Sequence, residues 1–160
     1  MQVFRPADIL IPKTDMHAWS VVACDQFTSE PEYWEKVYEI VGDKPSALRL
    51  ILPEAELGIK DPEAESENIN CMMAEYLRTG IFEEYKQSYV YVERRLNGGM
   101  IRRGIIGAFD LEAYDWAEGT HSPIRATEHT VEDRLPPRVK VREKALLEMP
   151  HIMILSLIHI

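Results

Sequence analysis

Short apolar runs alternate with amphipathic stretches along most of the chain, and each spacing predicts an element. Asp8-Ile9-Leu10-Ile11-Pro12 reads as an extended segment ended by proline. The β-branched run Trp19-Ser20-Val21-Val22-Ala23-Cys24 predicts a buried strand that delivers Asp25 and Gln26 to its end. Ser29 followed by Glu32 fits a capping box, with Pro31 tolerated in the first turn. Trp34, Val37, Tyr38 and Val41 then share one helical stripe, and Gly42 can take the left-handed position that stops the helix. Ala47 to Leu52 is a further apolar run, halted by Pro53.

Asp61-Pro62 is a strong N-cap and first-turn pair. Ile69, Met72, Met73, Tyr76 and Leu77 recur at helical spacing before Gly80, with the methionine pair read as core filler. Ser88 to Arg94 alternates as a strand, Asn97-Gly98 suits a type I′ turn, and Met100 to Phe109 returns as the partner. Asp110 to Ser122 is loop-like. Thr127 to Thr130 opens a short helix that Pro136-Pro137 must end, Val141 to Met149 has helical spacing, and His151 to Ile154 begins a strand. Together these elements predict an α+β, mixed α/β class, with a mixed sheet, a β-hairpin and flanking helices.

Composition narrows the function classes. The chain has 160 residues and a formal net charge of -9, which argues against nucleic acid, because phosphate contacts need surplus Lys and Arg. Acids crowd Glu54 to Glu84, whereas Arg125, Arg134, Arg138, Lys140, Arg142 and Lys144 gather later. Cys24 and Cys71 lie far apart, so neither a disulfide framework nor a zinc knuckle is signalled. Two thiols and seven methionines suit a reducing cytoplasm. No run approaches the roughly 18 apolar residues that span a bilayer, so no membrane role is expected. The final residues, Leu155 to Ile160, match the translation of CTG TCT CTT ATA CAC ATC, a transposase adaptor end. The expected organisation is therefore 1–154 as the N-terminal part of a longer α/β domain, with 155–160 an adaptor artefact.

Several residues can carry chemistry. Asp25, at a predicted strand end, is placed as catalytic carboxylates often are, or serves as a turn residue bonding its own backbone. Gln26 beside it can reach a substrate. Glu128, with Arg125, Thr127 and Thr130, can form an anion- or hydroxyl-binding corner, or cap a helix. Arg134 and Arg138 flank a stiff Leu-Pro-Pro and can meet a phosphate, or bridge to Glu132 or Asp133. Cys24 reads as a buried thiol rather than a nucleophile. His121, His129 and His151 are too scattered for a metal site, so none is expected. Arg94, Arg95, Arg102 and Arg103 flank the hairpin turn as a solvated edge.

The run Trp19-Ser-Val-Val-Ala-Cys-Asp-Gln-Phe-Thr-Ser-Glu-Pro-Glu-Tyr-Trp34 resembles the bacterial and archaeal family called domain of unknown function 1015. The likeness continues in Leu50 to Glu54, Gly80 to Tyr85, Tyr91 to Arg94, Ile124 to Arg138 and Leu147 to Ile154. Members of that family carry a downstream Gly-His-His-Arg signature like the phosphate-handling motif of the ParB and sulfiredoxin fold, and this chain has no such string. The resemblance implies a nucleotide-dependent kinase of a small hydroxyl metabolite, such as free serine, using ATP or ADP with Mg2+. In that reading Asp25 and Glu128 are catalytic, and Gln26, Arg125, Thr127, Arg134 and Arg138 hold substrate or phosphate. The other reading is a non-catalytic ligand-binding or regulatory protein of that fold. A small-molecule metabolite is the expected partner, and the oligomeric state is left open.

Overall fold

In the computed structural model, residues 3–115, 117–124 and 131–149 are described, without the Arg134 side chain. The chain divides into two units, Met1–Ile11 with Phe82–Thr130, and Pro12–Ile81 with Val131–Ile160. The class is α+β, as the alternation predicts, and the strands form three two-stranded sheets rather than one mixed sheet among the described residues.

The first unit holds the strands. β1 (Phe4–Arg5) pairs antiparallel with β6 (Ala108–Phe109), and β2 (Ala7–Pro12), nearly all of it in this unit, pairs with β3 (Phe82–Ser88). Gly107 is required beside β1, because a Cβ there would stand 2.7 Å from the Arg5 carbonyl oxygen. β4 (Val90–Arg95) and β5 (Ile101–Ile106) form the hairpin, with Val90 opposite Ile106 and Arg95 opposite Ile101. Its turn differs from the type I′ expectation. Positive φ falls on Gly98 (87°) and Gly99 (81°), one position later than Asn97-Gly98. Two consecutive glycines make that shift free of Cβ strain. The expected partner run also breaks: Gly107 separates β5 from β6, which pairs with β1.

The second unit is helical and contains the core. α1 (Met16–Trp19) is capped by Asp15, whose side chain accepts from the His17 N–H. The expected strand Trp19 to Cys24 is therefore replaced by a helical turn and an extended segment outside any sheet, whose Cys24 carbonyl accepts from the Glu54 N–H at 2.8 Å. α2 (Pro31–Val41) begins on Pro31 with Glu30 as N-cap and no side-chain cap, so the Ser29 capping box does not form. Gly42 ends it at φ 53° and ψ -131°, a backbone combination that glycine alone adopts readily.

Ser46 opens a tight turn over Ala47–Leu50 by accepting from the Leu48 N–H. α3 (Pro62–Thr79) has the expected Asp61 cap and a left-handed Gly80. Ile69, Met73 and Tyr76 are buried, whereas Leu77 is exposed. The Tyr76 hydroxyl accepts from the Ser46 N–H at 3.0 Å and anchors α3 to that turn.

α4 (Leu135–Arg142) contains Pro136 and Pro137 in its first turn, so these prolines open a helix instead of ending one. Their missing N–H groups fall where a helix leaves donors unpaired anyway. The helix expected over Val141 to Met149 does not form: α4 ends at Arg142, and Glu143 to Met149 are turn and irregular chain. α4 packs on α3, where Ser66 Oγ donates to the Lys140 carbonyl at 2.9 Å. Trp34, Val41, Leu48, Ile51 and Ala55 form a buried cluster, with Val21, Val22, Cys24, Tyr33 and Val37 packed against it. The expected helix at Thr127 to Thr130 and strand at His151 to Ile154 lie outside the described residues.

Candidate functional site

Three segments of the helical unit converge near Cys24. The first is the turn that follows the extended run, where the Gln26 N–H donates to the Ala23 carbonyl at 3.0 Å. It leaves Asp25, Gln26 and Phe27 exposed. The second is Pro53–Glu54, which begins a tight turn over Glu54–Glu56. The third is the first turn of α4, carrying Arg138.

Arg138 Nη2 donates to Glu54 Oε1. The Glu54 side chain is 5% exposed and that of Arg138 40%. This pair replaces the expected bridge from Arg138 to Glu132 or Asp133. Because Leu135 starts a helix, Arg138 projects from its first turn onto the Glu54 loop instead of flanking a stiff Leu-Pro-Pro break. Arg138 Nε is buried and has no hydrogen-bond partner among the described residues. A buried guanidinium donor without an acceptor is costly, and it is the exposed remainder of the side chain that can meet an anion.

Cys24 senses the whole corner. Burial pushes its thiol above the ordinary value, Arg138 pulls it back, and Asp25 and Glu54 raise it further. The thiol is thus held in its neutral form and is a poor nucleophile at neutral pH, in keeping with a packed cysteine. The arrangement instead offers an exposed carboxylate and a guanidinium around an apolar thiol. The Gln26 amide donates to Asp25 Oδ1 at 3.3 Å and steadies that carboxylate.

Phe27 adds what the sequence did not signal. Its φ is 52°, a left-handed conformation that costs a residue with a Cβ roughly 1–2 kcal/mol. The distortion lays its ring on Tyr33, with centroids 3.9 Å apart and planes 16° apart. Tyr33 in turn meets the buried Trp34 edge-on at 5.5 Å.

Of the residues expected at the site, the structure brings Asp25, Gln26 and Arg138 to one corner. Arg125, Thr127 and Glu128 lie outside the described residues, as does the Arg134 side chain. Among the described residues no three His, Cys, Asp or Glu side chains gather as a metal cluster. A Mg2+ ion here would have to arrive on a nucleotide's phosphates and take one or two carboxylates, which is how that ion commonly binds. Among the described residues, no helix is long and apolar enough to cross a membrane.

Comparison with known proteins places the chain. The model of the family described as protein of unknown function (DUF1015) matches residues 4–157, nearly the whole chain, and the protein belongs to that family. The match passes Ile154, where the likeness was expected to stop. No curated protein and no solved structure matches the chain.

Proposed function

We propose that this DUF1015 protein is a nucleotide-dependent phosphotransferase acting on a small hydroxyl metabolite, with free serine as the first candidate. The observation that carries the reading is that the half-exposed Arg138, paired with Glu54, is brought to the Cys24–Asp25 segment, whose Cys24 carbonyl accepts from the Glu54 N–H. Phosphoryl transfer asks mainly for positioning and charge stabilisation. Arg138 supplies the cation for phosphate oxygens, and Glu54 holds it in place. Asp25 accepts the hydroxyl proton as the substrate oxygen attacks phosphorus and the bond to the departing nucleotide oxygen breaks. Bound Mg2+ would neutralise charge on the phosphates.

Incubation with ATP or ADP, Mg2+ and serine should yield phosphoserine, and Asp25→Asn should lower the rate at least about a hundredfold. Absence of product from either nucleotide over a panel of hydroxy metabolites would overturn the kinase reading. The second reading, a ligand-binding protein without turnover, draws on the commitment of Arg138 to Glu54. It predicts nucleotide binding with no product, and binding indifferent to Asp25→Asn.

A further inference from the structure

We infer that Phe27 and Tyr33 form a stacking platform for the purine base of the nucleotide, a proposal that rests on the phosphotransferase reading and extends it. Ordinary packing would turn Phe27 inward. Here the chain adopts a left-handed backbone at an aromatic residue, with no glycine or asparagine to ease it. The ring lies nearly parallel to Tyr33 and stays 40% exposed. One face of Phe27 lies against Tyr33, and the exposed remainder of the ring is where a flat base would stack.

The support beneath is rigid. Tyr33 packs against the buried cluster and stands edge-on to Trp34, which is 1% exposed. The neighbours suit a purine as well. The exposed Gln26 carries a donor and an acceptor on one amide, the pair that reads an adenine edge. Arg138 is held by Glu54, whose N–H donates to the Cys24 carbonyl two residues before Gln26, and offers the charge that phosphates need. Base stacking on an aromatic face is tolerant of ring type, so the platform accepts adenine and guanine alike.

Binding of ADP and of inorganic diphosphate, followed by calorimetry on the purified protein, tests the platform. Tryptophan fluorescence serves as a second reporter, since Trp34, one of three tryptophans, touches Tyr33. ADP should bind about tenfold or more tightly than diphosphate and change the tryptophan emission. Phe27→Leu should remove that advantage while leaving diphosphate affinity unaltered, and Phe27→Trp should restore it. Equal binding of ADP and diphosphate, or an unchanged ADP affinity in Phe27→Leu, overturns the platform even where phosphoserine is formed. ADP binding lost on Phe27→Leu in a protein that makes no phosphoserine upholds the platform and removes the kinase reading. Failure to bind either compound overturns the platform.

Discussion

The two units divide the work of the molecule unequally. Every fully buried side chain among the described residues lies between Ala18 and Tyr76 in the helical unit, and no described residue of the strand unit is fully buried. There Trp34 and Leu48 share one buried cluster and Met73 is buried on α3, so apolar area leaves water and rotamers are fixed. The strand unit relies on ladder hydrogen bonds and surface ion pairs, and its β4–β5 hairpin is solvated along both strands, with Tyr91 and Ile105 exposed opposite one another. Two-stranded hairpins of that kind are marginal in water. A binding corner is therefore expected where packing can hold it, and Asp25, Phe27 and Arg138 are in the helical unit.

Truncating the packed side should cost most. Trp34→Ala is expected to lose about 3–5 kcal/mol in denaturant unfolding, whereas Tyr91→Ala should change stability by no more than about 0.5 kcal/mol. Equal losses would erase the contrast. Arg138→Met should cost about 1–3 kcal/mol, because Glu54 keeps its almost buried charge without this cation, while the exposed half of the pair limits the effect. In the hairpin, Arg94 stands directly opposite Arg102, and Arg94→Glu should gain about 0.2–1 kcal/mol by turning repulsion into attraction.

Acid and base probe the two units separately. The Cys24 thiol has a raised folded value, so the neutral thiol contributes stability that is complete below the ordinary value of about 9.0 and fades as pH climbs above it. Cys24→Ala should flatten the alkaline limb of a melting-temperature profile. Asp8, in the strand unit, is depressed by the hydrogen bond from the Gln87 N–H, then by the Gln87 and Lys86 side chains. Its contribution is present above the ordinary value of about 3.8 and is lost as pH falls below it, and Asp8→Asn should reduce that acid sensitivity.

Periodicity alone revealed α3, since Asp61-Pro62, the Ile69–Met73–Tyr76 stripe and Gly80 all act within one helix. The hairpin was legible for the same reason, its signals being local. Trp19 to Cys24 misled because its composition suits a strand while its backbone partner is the Glu54 loop, a tertiary choice with no local mark. Leu-Pro-Pro is ambiguous in sequence, because proline permits a helix start as readily as it forbids a helix interior. At the corner, Asp25, Gln26 and Arg138 were visible as residue types. Their meeting and the Glu54 partner were not, because both depend on packing between segments far apart in sequence, and the left-handed Phe27 was not, because no glycine or asparagine marks it.

Native-state hydrogen exchange resolved by residue is the most direct test of the contrast between the units. The amides of Ile69 to Tyr76 should exchange only through global unfolding, and those of Val90 to Ile106 through openings of much lower free energy. Protection of the hairpin equal to that of α3 would contradict the account.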